Sequence, residues 1–299
     1  MPDKIAIIDI GTNTINLLMV NKYVKTYQVL HSERTGVGLG HGGMSRSIIT
    51  KDSFNRGINC LINYTKTCTD NNVKSIYAFG TSMLRQAKNA KNFIHTVKKR
   101  TNIDIQVLNG DQEANFIYNG IKLGYDFHKK SVVMDIGGGS TEFILADKNG
   151  LIDKISLNIG ISRINQLFNF NSTLSNTDIK MIERFLQDKI GNKLNTYQAN
   201  QLIGASGSFK TFFELTNKTK YDTTSFQKID ITSINKTLDT IIRSSYQERL
   251  NNPHILKLRS ELLAISAVKT KWVLNKLNCK EVIVSPNSIK EGVIFNFSL

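Results

Sequence analysis

The sequence predicts an α/β protein made of two similar domains, and two observations carry this prediction. The first is a pair of nearly identical glycine-rich turns, one beginning at Asp9 and the other at Asp135. Each turn separates two apolar, β-branched runs, a pattern typical of a strand–turn–strand hairpin. The second is the length of 299 residues, which exceeds one typical domain core and suits two. We therefore expect two half-domains, each with one such hairpin.

The elements that follow the first turn have the order of an α/β domain. A helix is expected from Thr50, because apolar or small residues recur on one face at Phe54, Ile58, Leu61, Ile62 and Thr65. Strands are expected over Tyr23–Val29, Lys74–Phe79 and Ile103–Leu108, with a glycine-dense loop at Gly36–Gly43 and a further helix beginning with Asp111. Strands that alternate with helices indicate helices packed against a sheet.

The second half repeats this order. A helix is expected after Ser175, which forms a capping box with Asp178. Its apolar stripe consists of Ile179, Ile182, Leu186, Ile190 and Leu194. Strands are expected over Ile152–Leu157, Gln201–Ala205 and Glu281–Ser285, and helices over Ile234–Ser245 and Leu258–Leu277. A last helix opens at Lys290, and we expect it to pack on the first domain.

The composition excludes several classes of protein. The chain is 40% hydrophobic and 21% charged, which is ordinary for a globular protein. Its cysteines, Cys60, Cys68 and Cys279, are odd in number and lack metal-ligand spacing, so neither a disulfide framework nor a zinc site is indicated. The N-terminal apolar stretch is too short to span a bilayer and does not resemble a signal peptide. We expect a cytoplasmic protein with no membrane partner.

The charge balance favours a polyanionic partner. Lys and Arg number 39 against 24 Asp and Glu, giving a net charge of +15. Such a balance suits nucleic acid, an anionic membrane or a phosphate polymer, although it also fits a chain generally rich in Lys, Asn and Ile. The basic residues are scattered, with short clusters such as Lys98–Arg100, and no aromatic-interleaved basic motif occurs. We therefore expect no specific binding of nucleic acid.

The two glycine-rich turns have the composition of phosphate-binding loops. Successive exposed N–H groups in such a turn form a concave nest that favours phosphate oxygens. The predicted donors are the N–H groups of Gly11, Thr12, Asn13, Gly137, Gly138, Gly139 and Ser140, together with the hydroxyls of Thr12, Ser140 and Thr141. Two copies of this loop, one in each half, imply that a phosphate chain is held from both sides.

Six segments in order resemble the exopolyphosphatase / guanosine pentaphosphate phosphohydrolase (Ppx/GppA) family of the actin-like ATPase superfamily. They are Asp9–Thr14, Gly80–Asn89, Gly110–Ala114, Asp135–Glu142, Gly204–Ser208 and Ile289–Val293. The resemblance covers nearly the whole chain and is closest to the short form of the family. It implies two actin-like (ribonuclease H-like) domains, each with a mixed five-stranded sheet flanked by helices, and an active site in the cleft between them. The implied domains are 1–117 with 286–299, and 118–285, with a hinge near Tyr118–Gly120.

The resemblance also implies a chemistry. Members of the family use Mg²⁺ to hydrolyse the terminal phosphoryl group of polyphosphate, or the 5′ γ-phosphate of guanosine pentaphosphate. Their motifs make Glu113 the residue that orients the attacking water and Arg85 the residue that neutralises the phosphates. Asp9, Asp135 and Glu142 are the candidates to hold Mg²⁺.

The third glycine loop is a weaker indication. Ser206 and Gly207 either contact substrate from the second domain or form only a tight strand–helix connection. A homodimer is also plausible from the resemblance, but no interface stripe is recognisable in the sequence.

Three positions depart from the family pattern. Gln112 stands where the first of two consecutive Glu residues is usual, Asn115 replaces an Arg, and Lys290 replaces an Arg. These changes bear on rate and substrate preference more than on reaction class. Four alternatives stay open: guanosine pentaphosphate hydrolysis, a polyphosphate- or nucleotide-binding regulator without turnover, a small-molecule kinase, and nucleic-acid binding through charge alone.

Overall fold

A computed structural model of the chain describes residues 3–24, 26–170 and 173–296, and it contains two mixed β-sheets flanked by helices. The strands are β1 (Asp3–Ile10), β2 (Thr14–Lys22), β3 (Tyr27–Gly36), β4 (Ser75–Gly80), β5 (Ile105–Val107), β6 (Ser131–Ile136), β7 (Thr141–Asp147), β8 (Gly150–Leu157), β9 (Gln201–Gly204), β10 (Gln227–Ile229) and β11 (Glu281–Val284). The helices are α1 (Lys51–Asp70), α2 (Ser82–Gln86), α3 (Ala90–Thr101), α4 (Gly110–Lys122), α5 (Ile161–Phe168), α6 (Asn176–Ile190), α7 (Gly207–Asn217), α8 (Ile231–Arg243), α9 (Tyr246–Asn251), α10 (Leu263–Lys276) and α11 (Ile289–Asn296).

The first sheet has the strand order β3-β2-β1-β4-β5. β1 and β2 form the antiparallel hairpin around the first glycine-rich turn, with Asp9 opposite Asn16. β4 and β5 run parallel to β1 on its other side. A parallel pair needs a crossover connection, and the helices α1 and α3 lie in the segments that provide it.

The second sheet has the order β10-β11-β9-β6-β7-β8. β6, β7 and β8 form an antiparallel meander in which Asp135 pairs with Glu142. β9 runs parallel to β6, and β11 runs parallel to β9. The predicted five strands are wrong for this sheet, because β10 adds a sixth, antiparallel strand at the edge beside β11. That strand has three residues, Gln-Lys-Ile, which are too few to show an alternating pattern.

The predicted strand over Tyr23–Val29 is largely wrong. The strand in this region is β3, which begins at Tyr27 and extends to Gly36. β3 is an edge strand, and most of its residues are exposed, so no hydrophobic alternation marks its course. Tyr23 instead begins a turn, closed by its N–H on the carbonyl of Thr26 at 2.9 Å. Lys25 lies outside the described residues, as do residues 297–299 of the predicted C-terminal segment.

The helix predicted after Ser175 is confirmed, including its capping box with Asp178. It ends one turn earlier than the predicted stripe, because Gly191 follows Ile190 with a φ of +51°. Leu194 is buried in the turn beyond the helix end. The helix predicted to start near Thr50 is also confirmed: α1 begins at Lys51, and the side chain of Thr50 accepts a hydrogen bond from the N–H of Ser53.

Helix α11 packs against α4 and β1. Glycines allow the two helices to approach closely: a Cβ on Gly292 would lie 1.8 Å from the carbonyl oxygen of Phe116, and one on Gly120 would lie 2.1 Å from that of Ser288. Both helices belong to a buried cluster that also includes Ile7 of the first sheet and Val133 of the second. This shared core holds the ends of β1 and β6 near each other. No described helix is long and apolar enough to cross a membrane.

Candidate functional site

The two glycine-rich turns face each other directly. A Cβ on Gly138 would lie 2.8 Å from Oδ1 of Asn13, and a Cβ on Gly139 would lie 2.9 Å from Oγ1 of Thr12. Glycine is therefore required where the second turn approaches the first. The cleft beside them has a volume of about 220 Å³. Its lining contains most of the predicted site residues, namely Asp9, Gly11, Thr12, Asn13, Glu113, Asp135, Gly137, Gly138, Gly139, Ser140, Glu142, Ser206 and Gly207.

Both turns close in the same way, and this removes two predicted donors. The N–H of Gly11 donates to the carbonyl of Thr14 at 2.9 Å, and that of Gly137 donates to the carbonyl of Ser140 at 3.1 Å. These N–H groups shape the turns and are not available to a phosphate. Within the described part of the chain, the turn N–H groups without an acceptor are those of Thr12, Asn13, Gly138, Gly139 and Ser140.

Different segments hold the backs of the two turns. The carbonyls of Thr12 and Asn13 accept from Gly40 and Gly38 of the glycine-dense loop, at 2.9 and 2.8 Å. The carbonyls of Gly137, Gly138 and Gly139 accept from the first residues of α5 and from Gly160 before it. Helix α5 also reaches the first turn, because Ser162 Oγ lies 2.6 Å from Asn13 Oδ1.

Three predicted metal ligands line the cleft at its carboxylate-rich floor. Asp9 accepts a hydrogen bond from Asn16 at 2.9 Å, Asp135 accepts one from the hydroxyl of Ser288, and Glu142 accepts one from Ser156 at 2.7 Å. Burial raises the pKa of Asp9 and of Glu142. Burial, followed by the negative charge of Glu142, raises the pKa of Asp135 to about 8. Among the described residues, no three or more His, Cys, Asp or Glu side chains are grouped as a ready-made metal site.

Glu113 and Arg85, the predicted catalytic pair, form an ion pair. Arg85 Nη1 lies 2.9 Å from Oε2 of Glu113 and 2.7 Å from the carbonyl oxygen of Leu108. Glu113 is 7% exposed, in the first turn of α4. Burial raises the pKa of Glu113 well above its ordinary value, Glu142 raises it further, and Arg85 opposes both. Arg85 reaches the site from α2 through Glu113 and is not part of the cleft lining.

The predicted Thr141 hydroxyl lies behind its turn. Thr141 is fully buried, and its hydroxyl donates to the carbonyl of Ser140 at 2.9 Å. It also accepts from the ammonium group of Lys269, so it is not presented to the cleft. In the third glycine loop, Gly207 lies against the guanidinium of Arg259, to which a Cβ would come within 2.5 Å. Ser206 lines the cleft, and its buried hydroxyl has no hydrogen-bond partner in the part of the chain that the structure describes.

Sequence reasoning missed several residues of the site. Ser82 is 2% exposed and lines the cleft, and its hydroxyl has no hydrogen-bond partner among the described residues. Arg34 and Arg259 also line the cleft, from β3 and from the segment before α10. Lys269 is completely buried in α10, where burial lowers its pKa to about 7. The available signal for Lys269 was a lysine inside the apolar run Leu262–Val273.

The departures from the family pattern have local partners. Gln112 completes a capping box with Asn109, with both bonds at 2.9 Å. Asn115 accepts from the ammonium of Lys154 at 2.7 Å. Lys290 lines the cleft and lies 3.9 Å from the carboxylate of Glu291.

The arrangement of two facing turns at the ends of β1 and β6, one in each mixed sheet, is that of the actin-like ATPase fold, and the predicted fold class is confirmed. An exopolyphosphatase structure from Cytophaga hutchinsonii matches with a TM-score of 0.94 and 29% identity, over 99% of this chain and 97% of that one. The Ppx/GppA phosphatase family matches residues 19–299. The chain belongs to this family.

Two curated relatives have different names. A bifunctional 3-dehydroquinate synthase/phosphatase from Fusobacterium nucleatum is 29% identical over 97% of this chain and 46% of its own length. A guanosine-5'-triphosphate,3'-diphosphate pyrophosphatase from Pseudoalteromonas atlantica is 28% identical over 70% of this chain and 42% of its own length. The chain thus spans less than half the length of each of these relatives.

Proposed function

We propose that the chain hydrolyses the terminal phosphoanhydride bond of inorganic polyphosphate. The observation that carries this proposal is the convergence of unpaired turn N–H groups with four carboxylates in one cleft. The carboxylates are those of Asp9, Glu113, Asp135 and Glu142. Phosphoryl transfer needs positioning and charge neutralisation more than covalent chemistry, and this set supplies both.

The carboxylates fit a divalent cation, and we propose that it is Mg²⁺. Burial and repulsion by Glu142 raise the pKa of Asp135 to about 8. The protein's own cations therefore do not neutralise the negative charge of these carboxylates, and a bound cation would do so. Mg²⁺ is usually held by one or two carboxylates together with phosphate oxygens and water. Asp9, Asp135 and Glu142 would hold it, and the bound ion would neutralise charge on the phosphates. Such a site does not require a group of three side chains within the protein.

Glu113 is suited to orient the attacking water. Its Oε2 is held by Arg85, Oε1 has no hydrogen-bond partner within the described part of the chain, and the residue lines the cleft. A carboxylate fixed at one oxygen can accept the hydrogen bond, and then the proton, of a water at the other. Arg85 lies outside the cleft lining, so its proposed role is to hold Glu113 and to add positive charge to the site from behind that residue.

The cleft also contains cations that suit a polyanion. Arg34, Arg259 and Lys290 line it. Burial, opposed by the charge of Glu291 and assisted by those of Lys290, Arg34 and Arg259, lowers the pKa of Lys210 to about 8. Cations that lie this close repel one another, and a phosphate chain would relieve the repulsion. This cluster supports a substrate with several negative charges.

The test is phosphate release from polyphosphate, with and without Mg²⁺, by wild type and Glu113→Gln. We expect the substitution to lower kcat by about 10²- to 10⁴-fold while substrate binding is retained. Glu183→Gln, an exposed position on α6, is the matched control and should behave as wild type. Tight binding of polyphosphate without release by wild type would overturn the hydrolase proposal and favour a binding protein.

Guanosine pentaphosphate is the second candidate substrate. The Pseudoalteromonas relative, whose name gives this substrate class, supports it. The phosphate end would occupy the same turns, so the two substrates should be compared at matched concentrations. A higher kcat/KM for guanosine pentaphosphate would reverse the preference proposed here.

A further inference from the structure

Lys269 is a buried charge that the proposed reaction does not use. It lies in the middle of α10 and is completely inaccessible to solvent. Its neighbours along the helix, including Ala267, Val268 and Val273, are buried apolar residues. Within the described residues its ammonium forms no ion pair with a carboxylate. A buried amine without such a partner loses its hydration, and its hydrogen bonds to the protein must offset that loss.

The ammonium group binds two points that flank the second glycine-rich turn. It donates to Oγ1 of Thr141, the residue directly after the turn. It also donates to the carbonyl oxygen of Ile159, directly before Gly160. Thr141 in turn donates to the carbonyl of Ser140 at 2.9 Å. Lys269 therefore joins the strand that leaves the turn to the segment that packs behind it.

That segment determines which way the turn's N–H groups point. Gly160 donates to the carbonyl of Gly139 at 3.2 Å, Ile161 to that of Gly137 at 3.1 Å, and Ser162 to that of Gly138 at 2.9 Å. In a trans peptide the C=O and the following N–H point in opposite directions. Carbonyls held towards residues 160–162 therefore direct the N–H groups of Gly138, Gly139 and Ser140 away from them, and these are N–H groups without an acceptor within the described residues.

We propose that Lys269 is a positioning residue that fixes the second phosphate-binding turn against residues 159–162 and so aims three backbone donors at the substrate. It acts through Thr141 and Ile159 and does not touch the substrate. The inference rests on the proposed function, because it assumes that the turn binds phosphate. The carbonyls of the first turn are held by a different segment, the glycine-dense loop, so we expect the larger effect at the second turn.

The test compares Lys269→Met with Lys271→Met. Methionine keeps the length and apolar stem of Lys269 and removes the two hydrogen bonds. Lys271 lies on the same helix, is partly exposed and pairs with Asp239, so it is the matched control. We expect Lys269→Met to raise KM for polyphosphate about ten-fold with little change in kcat, because lost donors weaken ground-state and transition-state binding alike. Lys271→Met should leave both constants unchanged.

Binding is measured separately, by calorimetry of tripolyphosphate with Mg²⁺ in a Glu113→Gln background, where turnover is suppressed. The dissociation constant should rise by the same factor as KM. A lower melting temperature without any change in KM or in tripolyphosphate binding would overturn the proposal, as would an equal rise of KM in Lys271→Met.

A second variant covers the case in which Lys269→Met does not fold. Thr141→Val keeps the shape of the side chain and removes only the hydroxyl that Lys269 binds, and it should also raise KM; an unchanged KM would overturn the proposal. If wild type releases no phosphate from any substrate, the proposed function fails. If wild type is active and the Lys269 and Thr141 variants match it, only this inference fails.

Discussion

The two glycine-rich turns are alike in backbone and unlike in what surrounds them. Each closes on itself through a glycine N–H, at Gly11 and at Gly137. The residue paired with the leading aspartate is Asn16 in the first hairpin and Glu142 in the second. The first half of the site therefore carries an amide where the second carries a carboxylate. The repeat provides two similar turns, but the second hairpin carries two carboxylates where the first carries one.

The supports of the turns differ as well. The first turn rests on a loop of glycines, in which Gly38 has a φ of +58°. The second rests on the N-terminal amides of α5, with the buried ammonium of Lys269 behind them. The carbonyls of the first turn are held by backbone N–H groups, whereas the second support also depends on the side chain of Lys269. One repeated turn can therefore be held in place by two different kinds of segment, a glycine-rich loop in one domain and a helix N-terminus in the other.

The largest effect on kcat is expected when the residue paired with the leading aspartate is substituted, which is Asn16 in the first hairpin and Glu142 in the second. Glu142→Gln should lower kcat by about 10²- to 10³-fold, because it removes a charge proposed to hold the cation next to the phosphates. Asn16→Ala should lower kcat by only about ten-fold, since Asn16 orients Asp9 through one neutral donor. Phosphate release at saturating Mg²⁺ measures both. Equal losses would mean that the two hairpins contribute equally to catalysis.

The two supports are compared by replacing one glycine of each with alanine, which adds one methyl group. In Gly160→Ala the Cβ would lie 2.2 Å from the carbonyl oxygen of Gly138, so backbone must move, and we expect a loss of about 3 kcal/mol in the free energy of unfolding. In Gly38→Ala the nearest atom is 3.4 Å away and the cost is that of the positive φ, about 1 kcal/mol. Urea unfolding measures both. A larger loss of unfolding free energy in Gly38→Ala than in Gly160→Ala would contradict this expected order.

The sequence predicts those structural features that are encoded by a pattern within a few neighbouring residues. The duplicated turns and the capping box of Ser175 and Asp178 are patterns within a few residues, and both are found as predicted. The edge strands β3 and β10 were misplaced or missed because an exposed edge needs no hydrophobic alternation.

The details of the site depend on contacts between distant segments. The Asp135–Ser288 bond joins residues 153 positions apart, and the Lys269–Thr141 bond joins residues 128 apart. No spacing rule reveals such pairs. The commitment of the Gly11 and Gly137 N–H groups to turn closure is likewise a matter of backbone geometry, which a glycine-rich composition leaves undetermined.

The two leading aspartates, Asp9 and Asp135, should contribute differently to the pH dependence of the protein's stability. The pKa of Asp135 is raised to about 8 in the folded protein from 3.8, so between these values the folded state binds more protons than the unfolded state. The contribution of this group to stability is therefore present below pH 4 and is lost as the pH rises towards 8, with a slope of at most about 1.4 kcal/mol per pH unit.

Asp135→Asn should flatten this decline in the metal-free protein more than Asp9→Asn does. Burial raises the pKa of both aspartates, but Lys290, Asn16 and Arg34 oppose the rise at Asp9, whereas Glu142 adds to it at Asp135. Thermal unfolding without metal, at several pH values between 4 and 8, measures the slopes. Added Mg²⁺ should restore stability at the alkaline end in wild type. Equal slopes in the two variants would contradict the asymmetry between the hairpins.

The smallest effect concerns a side chain that joins the two supports. Gln166 of α5 donates to the carbonyl of Gly40 at 2.9 Å and accepts from the N–H of Met44 at 3.0 Å. Gln166→Ala should cost about 1 kcal/mol of stability, because two hydrogen bonds are exchanged for bonds to water at a partly exposed position. Asn165→Ala is the control, since the side chain of Asn165 contacts Glu261 and not the glycine-dense loop.

If the two turns act as one phosphate clamp, Gln166→Ala should also raise KM, whereas Asn165→Ala should not. The reason is that α5 aims the second turn and, through Gln166, fixes the loop that aims the first, so loosening this contact changes the spacing between the two sets of N–H donors. A stability loss with an unchanged KM would mean that each turn is positioned by its own domain alone, and that the two supports are independent of each other.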